Sequence, residues 1–381
     1  MTVRPLGFVL LAACGDGDVK DDSAGTDVVP TTTALGVGEG ALDADAVSWT
    51  TILDSDDRLT DPRDLGFDPD GDLWIANRSD DRTFIVFDPG EADQSFDCRK
   101  DGYAEHFMEE TAAFAFEGAE GASAEYASEF GSCGESENTY NDREDENDFM
   151  GPVLWSTDLD IFAEENPNGL GSHLDMLHQS PLCVGIAWER GNVYWVFDGY
   201  HDAIVRYDFE EDHDVGNDDH SDGIVYRLSE PTVTRVEDAP GHMMIEPSTG
   251  LLYVADTGGG RILRLDPDSG ERGSNLRARN EPLEDYAEWD GVDWSEIVRG
   301  LDRPGGLAVA DGVLYVAEYG TGVLHALDLE GNTLQTLDTG WGEGAIYGIE
   351  LGPDGHLWVV NHAEPAVVRL DPPTDSQQES P

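Results

Sequence analysis

Histidines supply the first candidate chemistry in this sequence. Of the ten histidines, half stand in short polar segments that border apolar runs. Imidazole is a common ligand of Zn²⁺ and Cu²⁺, and carboxylates often orient ligating histidines from behind. If these segments converge in the fold, they predict a zinc or copper site; otherwise each histidine is an independent polar loop residue. The candidate ligands are His106, His178, His201, His242 and His362.

An acidic segment over residues 210–223 offers a different kind of site. Its carboxylates are hard oxygen donors, and Gly216 and Gly223 permit the sharp turns of a Ca²⁺ loop. The spacing differs from that of an EF-hand, and a solvated acidic loop is an equally good interpretation. His213 and His220 offer a transition-metal site as a further alternative. The candidate calcium ligands are Asp212, Asp214, Asp218, Asp219 and Asp222.

A third dense segment covers residues 171–181, where His173 and His178 stand five positions apart. That spacing fits no single face of a helix, and on a strand the two side chains would point to opposite faces. The sequence contains no Gly-x-Ser-x-Gly motif, phosphate-binding loop or dinucleotide fingerprint. A serine-triad hydrolase and nucleotide chemistry are therefore unsupported.

The elements that position these residues repeat along the chain. Each repeat has a short apolar strand, a turn with glycine, a second strand with an aromatic residue, and a third strand that ends in an apolar residue and Asp. Stacking such small sheets around an axis buries both of their faces and protects their edges. The five clearest segments are 65–77, 185–199, 243–258, 306–320 and 348–362.

A sixth repeat is hidden between Asp88 and Asp208, because that gap is about twice the usual spacing of roughly sixty residues. Residues 111–116, 124–130 and 151–163 supply its candidate strands. The sequence thus predicts an all-β, six-bladed β-propeller over residues 46–372. An N-terminal strand, 46–53, is expected to close the last blade. A β-sandwich is the alternative, but its turns should recur at shorter intervals.

This strand pattern resembles the NHL-repeat family of six-bladed propellers. The peptidyl-hydroxyglycine lyases are similar propellers, in which Pro-His-Gly-type segments at the start of innermost strands provide zinc-binding histidines, with Tyr and Arg near the reacting carbon. In this chain only His242 stands at such a position. The comparable positions hold Arg63, Val184, Gly305 and Tyr347. In a propeller, the loops that join outer to inner strands and second to third strands lie on one face, which here collects the five histidines together with the catalytic candidates Arg63, Tyr200 and Tyr347.

The N-terminus predicts export. Arg4 precedes a short apolar run that ends at Cys14, as in a secretory signal. Residues 11–14, Leu-Ala-Ala-Cys, resemble a bacterial lipobox, which implies a lipid on Cys14 and a place in the bacterial cell envelope. The alternative is an ordinary cleaved signal with an incidental cysteine. Residues 1–13 are thus expected to form the signal, 14–45 a flexible acidic tether, and 373–381 a disordered tail.

Three more cysteines follow, and export makes a disulfide possible. Cys98 and Cys133 flank one irregular insertion and are the preferred pair, although pairings with Cys183 stay open.

The formal net charge of −60, with only two lysines, argues against nucleic acid or anionic lipid as a partner. Membrane contact is expected only through the lipid, and the chain is expected to be a monomer. The favoured function is a module that binds a ligand or a protein. A metal-dependent lyase or hydrolase and a structural envelope protein are the alternatives.

Overall fold

The computed structural model describes residues 32–118, 128–137, 149–166, 169–279 and 281–372. Six sheets form its blades, and their innermost strands contact one another in a closed cycle. The fold is therefore a six-bladed β-propeller, as the sequence predicts. In this described part of the chain, no helix has the length and apolar character needed to cross a bilayer.

Four short strands precede the first blade. They are β1 (Thr32–Thr33), β2 (Gly36–Val37), β3 (Gly40–Leu42) and β4 (Ser48–Leu53), with 3-10 helices at Ala44–Ala46 and Ser55–Asp57. Strands β1 and β2 pair with each other. Strand β3 joins the edge of the fifth blade, and β4 forms the fourth strand of the sixth blade.

The first two blades follow in chain order. Blade one contains β5 (Pro62–Phe67), β6 (Leu73–Asn77), β7 (Arg82–Phe87) and β8 (Ser95–Arg99), with a 3-10 helix at Arg78–Asp80. After the short helix α1 (Ala104–Phe107), blade two contains β9 (Thr111–Phe116), β10 (Glu129–Gly134), β11 (Val153–Ser156) and β12 (Asp175–Met176).

Before blade four is complete, the chain leaves it and adds two strands to blade three. Blade three contains β13 (Cys183–Arg190), β14 (Val193–Asp198), β15 (Ala203–Asp208) and β16 (Ile224–Leu228). Blade four begins with β17 (Met243–Glu246), β18 (Leu251–Asp256) and β19 (Arg261–Leu265). The chain then adds β20 (Glu271–Asn275) and β21 (Asp285–Asp290) to the edge of blade three, where β21 runs parallel to β16. It returns to complete blade four with β22 (Trp294–Arg299).

The last two blades are regular. Blade five contains β23 (Pro304–Ala310), β24 (Val313–Glu318), β25 (Val323–Asp328) and β26 (Thr333–Asp338), and blade six contains β27 (Ile346–Leu351), β28 (Leu357–Asn361) and β29 (Ala366–Asp371). In blade six, β29 pairs antiparallel with β4.

In five of the six blades, the aromatic residue that the sequence pattern places in the second strand is buried. Burying an aromatic side chain contributes about 2–3 kcal/mol to folding. Trp74, for example, lies against Phe130 and Phe162 of the blade-two region, at ring-centre distances of 5.1 and 5.0 Å. These rings fill the space between neighbouring blades and hold them together. They are Trp74, Tyr194, Tyr253, Tyr315 and Trp358.

Two predictions differ from the structure. Within the segment expected to be a tether, 14–45, residues 32–42 pack against the propeller. Leu35 is fully buried, and Gln335 donates hydrogen bonds to the carbonyls of Gly36 and Gly38. Cys14, the signal and the 373–381 tail lie outside the described residues.

The predicted Cys98–Cys133 disulfide is wrong. Cys133 in β10 pairs with Cys183 in β13, with their Cα atoms 5.7 Å apart, and Cys98 is unpaired. The two bonded cysteines stand on adjacent strands of neighbouring blades, so the disulfide links blade two to blade three. The apparent insertion between Cys98 and Cys133 contains the inner strand of blade two and separates the predicted partners.

Candidate metal centre

Two histidine-rich segments meet at the outer edges of blades two and three. One runs past β12, the outermost strand of blade two, and the other connects β15 to β16 in blade three. The His213 amide donates to the carbonyl of Leu174 at 3.2 Å, and the Gly216 amide donates to the carbonyl of His173 at 2.8 Å. The segments 171–181 and 210–223, separate in the sequence, therefore form one cluster.

The excursion through β20 and β21 brings an acidic residue to the same place. Because β21 lies parallel to β16, the residues before these two strands are neighbours, and the Glu284 amide donates to the carbonyl of Gly223 at 3.0 Å. The side chain of Glu281 thereby reaches His178 and becomes 98% buried. Sequence reasoning missed this residue, because its segment carries no repeat signal.

The first histidine–carboxylate pair is His178 with Glu281. The Nδ1 atom of His178 lies 2.7 Å from Oε2 of Glu281, whose other oxygen accepts hydrogen bonds from the His178 amide and from Gln179. Burial alone would raise the pKa of Glu281, but the charge and hydrogen bonds of His178 lower it. Since the carboxylate can only accept, Nδ1 donates, and Nε2 has a lone pair whenever the ring is neutral. That Nε2 atom is buried without a hydrogen-bond partner.

The second pair is His220 with Asp175. The Nδ1 atom of His220 lies 3.1 Å from Oδ1 of the fully buried Asp175. Burial opposes the charged imidazole, but the hydrogen bond and charge of Asp175 raise the pKa of His220 above its ordinary value. Burial also raises the pKa of Asp175. The pair thus repeats the arrangement at His178, with Nδ1 bound to a buried carboxylate and Nε2 able to ligate a metal once the ring is deprotonated.

These residues form two groups that can hold a metal ion. Each group offers three ligand atoms within 4.8 Å of one another, and both share His220. A carboxylate behind a ligating histidine fixes its tautomer and raises its basicity, as in known zinc sites. The groups are Asp175–His213–His220 and His178–His220–Glu281.

Two more histidines, His213 and His173, belong to the cluster. The Nδ1 atom of His213 lies 2.8 Å from the carbonyl of Asp214, so its Nε2 is the atom with a lone pair. Burial lowers the pKa of His213, and it lowers the pKa of His173 well below the ordinary value. Neutral imidazole is the form that binds metals.

A cavity of about 250 Å³ adjoins the cluster. His178 and His220 line it, and the ring of Phe149 stacks on His178 with centres 4.0 Å apart. His106 also lines the cavity, where burial and then the charges of His178 and His220 lower its pKa to about 3. The apolar wall consists of Tyr103, Phe107, Phe149, Leu170 and Pro282.

The five predicted histidine ligands do not converge. Only His106 and His178 belong to the cluster, with ring centres 5.7 Å apart. The other three each face an acidic group elsewhere: His201 lies 2.7 Å from Asp198, His362 lies 2.9 Å from Asp61, and His242 lies 3.5 Å from Asp64. The prediction of one funnel-face metal site is corrected, because the loops of different blades hold these rings apart.

The catalytic candidates of the funnel make contacts with one another and with the chain between blades three and four. The Arg63 guanidinium lies 4.8 Å from the centre of the Tyr347 ring. The Tyr347 hydroxyl donates to the carbonyl of Asp238, and Arg78 donates to the Asp238 carboxylate at 2.8 Å. Tyr200, the third candidate, stands apart and packs edge-on against His201.

The predicted calcium ligands lie in the connection between β15 and β16. Asp212 accepts a hydrogen bond from the Asn192 side chain, Asp219 from the Ser221 amide and Asp222 from the Glu211 amide. Asp218 lines the cavity. None of the five aspartates, Asp212, Asp214, Asp218, Asp219 and Asp222, belongs to either metal-binding group found among the described residues.

Comparisons with known proteins bear on the fold. No family model matches the chain, and no curated protein matches it. A glucose dehydrogenase structure is 15% identical, with 84% of this chain and 99% of that chain covered at a TM-score of 0.50. A protein of unknown function from Bacteroides thetaiotaomicron is 12% identical, covering 85% and 76%, also at 0.50.

A third solved structure is the virginiamycin B lyase of Staphylococcus aureus. It is 12% identical and covers 85% of this chain and 98% of that chain, at a TM-score of 0.47. At 15% and 12% identity, the two structures with a TM-score of 0.50 support the propeller fold and not an activity.

Proposed function

We propose that this protein is an exported, lipid-anchored propeller that binds a divalent transition metal between blades two and three and uses it to hold a small ligand. The observation that carries the proposal is the doubled histidine–carboxylate pair, His178–Glu281 and His220–Asp175, at the wall of a cavity. The motif at Cys14 supports export and lipidation.

The donor set favours zinc, with copper as the next candidate. His178 and His220 each present a neutral nitrogen when deprotonated, and imidazole suits Zn²⁺ and Cu²⁺ better than Ca²⁺ or Mg²⁺. Both rings are held in one orientation by a buried carboxylate. Such a preformed site lowers the ordering cost of binding.

The cavity suggests the class of ligand. Apolar side chains, including Tyr103, Phe149 and Leu170, form much of its wall, and the rest of the lining is polar and includes His178 and His220. A small molecule with an apolar body and one metal-binding oxygen group matches this division. The bulk negative charge of the protein disfavours ligands with several negative charges.

A metal-dependent lyase or hydrolase is the second candidate function. One observation favours it: the centre borders a cavity, and catalytic zinc sites keep one coordination position open. Against it stands His106, whose pKa of about 3 makes it a weak general base at neutral pH. Ligand binding is therefore the preferred function.

Metal analysis of the full chain, purified without chelator, tests the proposal. Because the net charge of −60 attracts loosely held cations, zinc should be counted after dialysis against a weak competing chelator. We expect at least one tightly held zinc per chain, lost in both His178→Gln and His220→Gln. The matched control is His201→Gln, which removes a histidine outside the cluster and should retain the metal.

Two results would overturn the proposal: a wild-type chain that holds no zinc after loading, or equal loss of zinc in His201→Gln. Small hydroxamates then separate the two functions. Binding without turnover supports the ligand-binding module. Metal-dependent cleavage of ester or amide panels, abolished in His178→Gln, would favour the enzyme instead.

A further inference from the structure

A second cavity, of about 280 Å³, shares no lining residue with the cavity at the proposed metal centre. Its wall comes from separate parts of the chain: Arg78 follows β6, Leu182 precedes β13, and Arg235 lies in the connection from β16 to β17. Pockets that hold drug-sized molecules measure roughly 300–1,000 Å³. The cavity therefore has room for a small organic molecule.

Carboxylates dominate the wall of this cavity. Six of them line it, together with only two arginines. Both arginines are already paired, because Arg78 lies 2.9 Å from Glu110 and 3.3 Å from Glu135, and Arg235 also contacts Glu135. This excess of negative charge favours a cationic ligand over an anion. The six carboxylates belong to Glu109, Glu110, Glu135, Glu137, Glu237 and Asp238.

Ser136 is a second, independent indication of a ligand. It lines the cavity and is 2% exposed, and its hydroxyl oxygen has no hydrogen-bond partner. A buried hydroxyl without a partner costs folding free energy, and native proteins keep few such groups. This oxygen can accept a hydrogen bond from an ammonium group.

The arrangement of the carboxylates argues against a metal ion in this cavity. Among the described residues, both groups that can hold a metal lie in the cleft, and neither contains a residue of this cavity. Arg78 contacts Glu110, Glu135 and Asp238, and its guanidinium lies among their carboxylates. Separated carboxylates suit a longer cation with an ammonium group at each end. Leu182 offers an apolar contact to the methylene groups between the two ends.

The two ends of such a ligand would have different surroundings. Glu135 and Ser136 are buried, whereas Glu237 and Asp238 are exposed. The cavity therefore has a closed part and a part that borders solvent.

We propose that this cavity binds a short aliphatic diamine, with one ammonium group at Ser136 and the other near Glu237. The site goes beyond the proposed function, because it uses no residue of the metal centre. Failure of either proposal leaves the other standing.

Titration calorimetry of the full chain with cadaverine tests the inference. The titration is made at physiological ionic strength, where the Debye length is about 8 Å, because a net charge of −60 attracts every cation weakly. We expect saturable binding of one molecule per chain. Pentylamine, with one ammonium group, should bind about tenfold more weakly, and glutarate, an anion of similar length, should not bind.

Three variants locate the site. Ser136→Ala loses a hydrogen bond to a charged group and should weaken cadaverine binding about tenfold. It should unfold in denaturant no more easily than wild type, because the lost hydroxyl has no partner in the protein. Glu237→Gln should weaken binding about two- to threefold, as expected for an exposed charge. The matched control is Glu39→Gln, which removes an exposed charge outside the cavity and should bind like wild type.

Four results would overturn the inference. They are no saturable cadaverine binding in wild type, unchanged binding in Ser136→Ala, and equal losses in Glu237→Gln and Glu39→Gln. The fourth is glutarate binding more tightly than cadaverine, which would assign the cavity to an anion held by the arginines.

The metal centre is tested separately with His178→Gln, since amines also ligate zinc. This variant should bind cadaverine like wild type even if it loses zinc. Loss of cadaverine binding in His178→Gln would place the amine at the metal and overturn the separate site.

Discussion

Two regions of the molecule are rich in charged and ionisable groups but use these groups differently. One is the propeller axis, with Arg78, Glu135 and Asp238, and the other is the cleft between blades two and three, with His178 and Asp175. On the axial side, Arg78 and Arg235 both contact Glu135, and Asp238 accepts from Arg78. These charges satisfy one another. In the cleft, Nε2 of His178 and Oδ2 of Asp175 are buried without a hydrogen-bond partner.

The comparison shows which feature marks a candidate metal site. The number of histidines near a predicted funnel did not identify it, since His201 and His362 are engaged by Asp198 and Asp61. The useful features are imidazoles oriented by buried carboxylates, with donor atoms that the protein itself does not satisfy. Four predictions test whether the two regions are as independent as this contrast requires.

The largest expected effect comes from removing the disulfide between blades two and three. The bond closes a sequence separation of 50 residues. For a loop of this length, the chain-entropy relation gives a loss of about 4 kcal/mol in the free energy of unfolding. A Cys133→Ala/Cys183→Ala double variant should show this in denaturant unfolding. The control, Cys98→Ser, should unfold like wild type, and a large loss there would contradict the observed pairing.

The axial network should matter for stability and not for metal binding. Glu135 is 95% buried and faces two arginines. Glu135→Leu leaves their charges without this partner and should lower the free energy of unfolding by about 3 kcal/mol. Zinc affinity, measured by competition with a chromophoric chelator, should stay within about twofold of wild type. That change is well below a tenfold change in affinity, which corresponds to roughly 1.4 kcal/mol. A tenfold weaker zinc affinity would show that the axis and the cleft are coupled.

Replacing the carboxylate behind His178 should, in contrast, weaken metal binding. Glu281→Gln removes the charge that orients this histidine, and such changes weaken metal binding by about 10–100-fold. The same chelator competition measures the effect. Glu284→Gln, three residues along the same connection and exposed, is the matched control. Equal affinities for the two variants would remove Glu281 from the centre.

The smallest effect is the pH dependence near neutrality. The folded pKa of His220 is raised, so its pairing with Asp175 stabilises the metal-free protein below the ordinary pKa and loses this effect as pH rises through the folded pKa. Metal binding has the opposite sign, because protonated His220 cannot ligate. Zinc affinity should fall by up to about tenfold per pH unit below the raised pKa. An affinity unchanged across that range would exclude His220 as a ligand.

Much of the fold follows from the sequence because each blade repeats the same physical problem. The buried aromatic residue, the turn and the terminal Asp identify five blades. Residues 111–116 correctly locate the inner strand of the remaining one, blade two. Its second strand is Glu129–Gly134, later than the predicted 124–130. Here Gly131 and Gly134 obscured the apolar pattern that marks the other blades.

The candidate site was harder to predict because its parts come from three distant segments. The dense segments around His173 and His213 were visible, but their contact depends on the edges of two blades meeting. Glu281 reaches them only through the excursion of β20 and β21, whose exposed, polar strand Glu271–Asn275 gives no apolar alternation. No local spacing encodes such a parallel pairing with β16.

Anomalous diffraction at the zinc edge, from crystals of the zinc-loaded chain, tests the central claim most directly. The account predicts a strong peak between blades two and three, about 2.0–2.1 Å from Nε2 of both His178 and His220. A strong peak on the axis beside His242 and Asp64, with none in the cleft, would contradict it and return the metal to the funnel.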